Sequence, residues 1–286
     1  MKTADLSSGT ITYVDTGGSG PVVVMLHGLL MDASLWEDVV EGLGKEHRCI
    51  VPTLPLGAHA TPMSPDADLS LTGIARLVTE FLDQLNLTDV TLVGNDTGGA
   101  IVQLLAASAN TRIARIVLVS CEAFDNVPPG LTGKTVVLIG RLPPALFRLF
   151  MQQMRLKPMR RLPIAFGWLT KRGDKTTKHW MQTLLANPDT CRDAVKVLRA
   201  LHKDRKILIP VADQVDRYAG HALVVWAEHD RVMPPEHGQR LADKLAPCTL
   251  VRVPDTRSLI PLDQPEVFTA ALNDFIATSL AADPEG

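Results

Sequence analysis

Asp96 stands at the apex of T-L-V-G-N-D-T-G-G, residues 91–99, where an apolar, β-branched run stops at Gly94 and Gly98-Gly99 open a helical segment. A strand that turns into a helix this sharply needs small residues on both sides. The apex residue is held in a strained conformation, its side chain pushed into the open above the strand's carboxyl end. A carboxylate presented there can attack an electrophilic carbon and form an ester. It can equally cap the helix that follows. Further carboxylates recur near the ends of apolar runs: Glu122 and Asp125 after residues 113–120, Asp230 in W-A-E-H-D-R-V-M-P (226–234), and Asp263 before the last helical run. Carboxylates converging on one pocket raise the pKa of at least one of them, which makes a general acid or base without imidazole. Against that reading, Asp230 can pair with Arg231 or Arg257, and Asp263 can cap the last helix.

The elements that must position these groups alternate along the chain. Residues 10–15 have the alternation of a strand, and 22–26 form the continuous apolar run of a strand buried on both faces of a parallel sheet. Residues 48–52, 113–120, 223–226 and 250–253 read as further strands. Residues 69–87 show helical spacing, with Ile74, Leu77, Val78, Phe81, Leu82 and Leu85 on one side. Helices are also expected at 100–107, 235–245 and 265–280. This order predicts an α/β fold, a doubly wound and mostly parallel sheet. The alternation stops between residues 125 and 217, where proline pairs, a basic stretch at 151–161, Trp168, Trp180 and many Leu and Met point to an inserted helical cap. The expected organisation is a core of residues 1–124 and 218–286 with a cap at 125–217.

With 286 residues, 46% hydrophobic and 21% charged, the chain suits one domain or a core with an insertion. A formal net charge of −2 gives no reason to expect nucleic acid or a membrane as partner. No apolar run reaches the length of a membrane span, and the first ten residues lack the apolar core of a signal peptide. The four cysteines are widely scattered without a C-x-x-C pair and read as reduced, in the cytoplasm. The expected partner is a small molecule; no cofactor and no metal is expected.

Taken together, the motifs resemble the α/β-hydrolase family, and within it the Asp-nucleophile branch of haloalkane dehalogenases and epoxide hydrolases. The resemblance runs from residue 10 to about 276 and is weakest in the cap. His27-Gly28-Leu29 matches the family's oxyanion turn, residues 94–99 its nucleophile elbow, and 226–234 the strand end that supplies its catalytic acid. The resemblance implies Asp96 as nucleophile and Asp230 as acid, with the backbone N–H groups of Leu29 and Thr97 forming the oxyanion hole, worth about 3–4 kcal/mol in a dry site. In the family a histidine then activates water to clear the ester.

That histidine is missing. The segment that carries it reads P-D-T-R-S-L-I-P-L-D-Q-P-E, so Ser258 stands where His is expected, and none of the eight histidines lies beyond residue 237. His229 adjoins Asp230, but neighbouring strand-end residues point oppositely. His27 belongs to the oxyanion turn; His179 and His202 belong to the cap. Glu122 and Asp125 occupy the position where some dehalogenases carry their acid. The halide-holding aromatic residue after the nucleophile is replaced by Thr97, and the only tyrosines, Tyr13 and Tyr218, lie outside the cap's interior. Three readings stay open: a hydrolase of small apolar esters, epoxides or halides with a non-standard base; a lyase or isomerase using Asp96 for proton transfer; and a binding protein that has lost turnover.

Overall fold

The computed structural model describes residues 1–245 and 247–282. The sheet among them has eight strands: β1 (Lys2–Leu6), β2 (Gly9–Asp15), β3 (Val22–Leu26), β4 (Arg48–Pro52), β5 (Val90–Asp96), β6 (Ile113–Cys121), β7 (His221–Ala227) and β8 (Cys248–Val253). They lie in the order β1-β2-β4-β3-β5-β6-β7-β8. β1 and β2 pair antiparallel, as do β2 and β4, and all other neighbours are parallel. The doubly wound, mostly parallel sheet expected from the alternation is what forms. β1 is an addition at the sheet edge: its K-T-A-D-L pattern buries only Ala4 and Leu6.

The helices in chain order are α1 (Glu37–Leu43), α2 (Leu71–Gln84), α3 (Thr97–Ala107), α4 (Gly130–Ile139), α5 (Pro144–Met151), α6 (Lys157–Arg160), α7 (Asp174–Ala186), α8 (Pro188–Lys203), α9 (Leu208–Ala212), α10 (Pro235–Lys244), α11 (Ile260–Asp263) and α12 (Pro265–Ala282). α2 starts where Ser70 caps it, its side chain accepting from the Gly73 N–H, and it buries the apolar face read from the sequence. The central strands are sealed: Val23 to Leu26 on β3 and Leu92 and Val93 on β5 are fully buried, each side chain contributing about 1.5–3 kcal/mol of burial free energy.

Helices α4 to α9 all fall between β6 and β7. Buried carboxylates pin this segment to the sheet side of the molecule. The Trp180 Nε1–H of α7 reaches Asp32 Oδ1 at 3.0 Å, just after the turn that follows β3. Asp193 of α8 accepts from the Met63 N–H at 2.8 Å and meets His59 Nε2 at 3.2 Å. Asp263 accepts from the backbone N–H groups of Lys171 and Arg172, both at 2.9 Å, and from that of Arg257 at 3.1 Å. The expectation that Asp263 caps the last helix is therefore corrected. α12 begins at Pro265, so its capping position is Gln264; Asp263 lies one residue earlier, and its carboxylate accepts from the N–H groups of residues 171, 172 and 257 instead.

Candidate active site

Strand register assembles the site before any side chain is considered. Leu26, the last residue of β3, is level with Gly94 of β5, so the turn at Gly28-Leu29 rises beside Asp96. On the other side, a register shift between Asn95 and Asp96 sets Asp96 opposite Cys121, and the next residue along is Glu122. Two parallel strand ends thus deliver two carboxyl groups side by side.

Asp96 has φ 56° and ψ −127°, the strained backbone expected at the apex. The turn tolerates no larger neighbours: a Cβ on Gly94 would lie 2.4 Å from the Gly98 carbonyl oxygen, and one on Gly28 would lie 2.3 Å from Asp96 Oδ1. Asp96 Oδ1 accepts from the Leu29 N–H at 3.0 Å and the Thr97 N–H at 2.8 Å, with the Thr97 hydroxyl at 3.1 Å. One oxygen therefore caps α3 and sits between the two backbone donors. The other, Oδ2, accepts no hydrogen bond among the described residues, and Asp96 lines a cavity.

The Thr97 hydroxyl also lies 2.9 Å from Glu122 Oε1. A hydroxyl carries one proton, so it cannot donate to two carboxylates at once. With its proton on Asp96 Oδ1, the second contact requires a proton on Glu122, donated to Thr97 Oγ1. Burial raises both carboxyl pKa values, that of Glu122 well above the carboxylate range with Asp96's charge adding to it. Two backbone N–H groups pull Asp96 back toward ionisation, whereas Glu122 Oε2 is buried without a partner. The arrangement favours the proton on Glu122, whose pKa burial and the neighbouring Asp96 charge raise further, over Asp96, which two backbone N–H groups draw toward ionisation.

The cavity above the pair measures about 70 Å³ and is lined by side chains such as Leu30, Val136, Ile139, Met151, Phe166 and Val232. Its other polar lining residue, Thr132, spends its hydroxyl on the Pro163 carbonyl at 2.8 Å. Among the described residues, Asp96 and Glu122 are the only titratable groups facing it.

The remaining candidates fall elsewhere. Asp230 is buried outside the cavity lining, where Oδ1 accepts from Val232 N and Met233 N at 2.9 Å and from the Ser258 hydroxyl at 2.8 Å. Neither Arg231 nor Arg257 pairs with it: Arg231 lies over the Trp168 ring, and Arg257 donates to the Thr170 carbonyl. Ser258 is fully buried and spends its hydroxyl on Asp230. His27, a candidate auxiliary group in a turn where histidine is more often structural, has both ring nitrogens committed. Its Nδ1 donates to the Gly28 carbonyl at 2.9 Å and its Nε2 accepts from the Leu54 N–H at 2.8 Å, while burial lowers its pKa to about 4. It braces the turn at Gly28 and does not line the cavity. Asp125 is exposed and also outside the cavity. His229 is exposed, His179 pairs with Asp32, and His202 meets Arg141; none of the eight histidines lines the cavity. The Thr97 hydroxyl bridge escaped the sequence, which offered only that residue's backbone N–H.

Asp230 supplies a prediction about stability. Burial pushes its pKa from 3.8 up to about 6. A carboxyl whose pKa is raised on folding stabilises most below its unfolded value, and that contribution is lost as pH rises through the folded value. Asp230→Asn cannot ionise. Its stability relative to the parent is expected to rise by about 2–3 kcal/mol from about pH 4 to about pH 7. Urea denaturation at both pH values checks this, and a difference that stays flat with pH would contradict the buried, ionising carboxyl.

The profile of the alpha/beta hydrolase fold family matches residues 21–265. Haloalkane dehalogenase 2 of Mycobacterium tuberculosis is 24% identical over 271 residues, 94% of this chain and 92% of that protein. A haloalkane dehalogenase of Mesorhizobium japonicum is 36% identical over 104 residues, 36% of this chain and only 33% of that protein's length. Among solved structures, a putative ancestral haloalkane dehalogenase superposes with a TM-score of 0.77 at 21% identity, covering 98% of this chain and all of that one (100%). The match over most of the sequence agrees with the sheet order, the strained turn at Asp96 and the Gly28-Leu29 turn beside it: this chain belongs to the alpha/beta hydrolase fold family.

Proposed function

We propose that the protein is a hydrolase of small apolar electrophiles whose leaving group is oxygen, an epoxide or an ester, with Asp96 as nucleophile and Glu122 as acid and base. The observation that carries this reading is the Thr97 hydroxyl within hydrogen-bonding distance of both Asp96 Oδ1 and Glu122 Oε1, two carboxyl groups that line one apolar cavity. Asp96 Oδ2 attacks a ring carbon of an epoxide while Glu122 gives its proton to the departing oxygen, leaving an ester on Asp96 and a carboxylate at Glu122. Glu122 then takes a proton from water, whose hydroxide adds to the ester carbonyl. The Leu29 and Thr97 N–H groups, already aimed at Oδ1, hold the resulting oxyanion. Collapse expels the alkoxide, which recovers the proton from Glu122. The acid left on Asp96 passes its own proton through Thr97 back to Glu122. The sum is epoxide plus water to diol.

Halides fit this machinery poorly. A halide leaves without a proton, so Glu122 stays protonated and unable to activate water; no side-chain N–H lines the cavity among the described residues, and the backbone N–H groups of Leu29 and Thr97 are taken by Asp96 Oδ1. Short alkyl iodides are therefore expected to alkylate Asp96 and to leave an ester that persists, where epoxide-derived esters clear. Intact mass after each reagent measures the difference, and equal clearance would contradict Glu122 as the base. In Ser258→His, an imidazole donating to Asp230 where the serine hydroxyl now does would supply a base independent of Glu122. The iodide-derived ester is then expected to clear faster by 10²–10⁴-fold, the usual worth of a general base (~3–5 kcal/mol).

One observation favours a second reading, in which Asp96 and Glu122 move protons within a substrate and no ester forms: no histidine faces the cavity. Its signature is turnover without any mass adduct in either wild type or a Glu122 variant.

A further inference from the structure

The net charge of −2 hides a segregation. Residues 126–188 carry eleven Lys and Arg against one acid, Asp174, a balance of +10, so the rest of the chain carries −12. The same segment holds eight of the twelve large hydrophobic side chains that stand exposed among the described residues. α5 shows the pattern most sharply. It buries Phe147 and Met151, yet its outward strip, Leu146, Leu149 and Phe150, is apolar too, with Leu149 68% exposed. A surface helix that is apolar on both faces has an unmet partner on the outside. Residues 155–158 (R-L-K-P) and 161–164 (R-L-P-I) continue the surface with basic and apolar exposed side chains, Leu156 being 60% exposed. α7, packed against α6, adds Lys175 and Lys178. Lys134, Arg155, Lys175 and Lys178 make no ion pair among the described residues, whereas Arg160 is buried against Asp174. Phe150 and Ile164 belong to this surface and to the cavity lining at once, so the patch rims the cavity.

We propose that this face docks on the surface of a bilayer containing anionic phospholipid. The leucines and Phe150 enter the headgroup boundary and the basic side chains hold lipid phosphates. Apolar molecules dissolved in the bilayer then reach the cavity past Phe150 and Ile164. This last clause rests on the cavity being the substrate site, whereas the docking does not. No helix among the described residues is long and apolar enough to cross a membrane, so the attachment is peripheral. Charge alone would let the basic face meet the acidic remainder of a second copy. Among the described residues, that remainder exposes only Met1, Ile209, Val267 and Leu280 as large hydrophobics, too scattered to cover an apolar strip. The expectation of no membrane partner came from the average charge, which the segregation makes uninformative.

Vesicle flotation of the full chain tests the docking. Vesicles of phosphatidylcholine with phosphatidylglycerol are expected to carry the protein, phosphatidylcholine alone is not, and raising salt should release it. Arg155→Glu with Lys157→Glu is expected to weaken binding at least about 30-fold, two basic side chains each contributing about fivefold at an anionic surface. The charge-matched control, Lys45→Glu with Arg252→Glu, lies outside the patch and should bind as wild type. Leu149→Ser should weaken binding without altering its salt dependence. Equal binding to neutral vesicles, equal loss in the control, capture of an oligonucleotide with no lipid binding, or concentration-dependent self-association in place of lipid binding would each overturn the proposal. Binding that follows the expected pattern while epoxides and esters are not turned over leaves the docking standing and removes only the functional reading of the cavity.

Discussion

Asparagine in place of Asp96 is expected to abolish hydrolysis, with a loss on the order of 10⁴–10⁶-fold, the scale on which nucleophile deletions act when the rest of a covalent site survives. The substitution isolates chemistry from folding. Its side-chain oxygen can still accept from the Leu29 and Thr97 N–H groups, so the strained turn and the first turn of α3 keep their hydrogen bonds. What disappears is the charge on Oδ2, the oxygen no donor satisfies. A buried carboxylate is also costly to hold, so Asp96→Asn should unfold at a temperature equal to or above that of wild type. Loss of activity with retained or raised stability is the signature. Substantial residual turnover would mean that the ester-forming step is not the route, and a large drop in stability would mean that Asp96 matters chiefly as the α3 cap.

Glutamine in place of Glu122 is expected to reduce turnover of epoxides and esters by about 10²–10⁴-fold, with the two halves of the reaction affected unequally. The amide can still offer an N–H to the departing oxygen, so ester formation slows but proceeds. It cannot accept a proton from water, so clearance falls further and the ester accumulates. The pH dependence should change as well. Wild type needs Glu122 protonated and Asp96 ionised to begin, so activity should fall toward alkaline pH as Glu122 loses a proton that burial and Asp96 hold on it, and toward acid pH as Asp96 gains one. That alkaline limb should vanish in Glu122→Gln. Thr97→Val keeps the backbone N–H and removes the hydroxyl bridge, and is expected to move the limb rather than erase it.

Much of this site could be read from residues alone because local chemistry dictates it. Gly94, Gly98 and Gly99 around a single Asp leave little besides a sharp turn, and the turn appears with φ 56° at Asp96. The apolar run at β3 demanded a strand buried on both faces, and the helical spacing of α2 demanded its buried stripe. Relations between distant segments were not legible. The register shift that sets Asp96 against Cys121, and so puts Glu122 beside it, is a property of strand pairing. It left Glu122 one carboxylate among several. His27 sat inside a functional motif, and only its two hydrogen-bond partners reveal that both ring nitrogens are committed. Asp263 failed as a predicted cap because it lies one residue before the capping position and its carboxylate is taken by a distant backbone segment. Charge failed as an average, because the basic and acidic residues occupy different regions of the chain.

Intact-protein mass spectrometry of Glu122→Gln after exposure to small apolar epoxides, with Asp96→Asn beside it, bears most directly on the shared-proton mechanism. The predicted result is a mass increase equal to one whole epoxide on Glu122→Gln, clearing slowly, transient in wild type and absent from Asp96→Asn. The contradicting result is wild type converting the epoxide to diol while Glu122→Gln never gains mass, or the same increase appearing on Asp96→Asn.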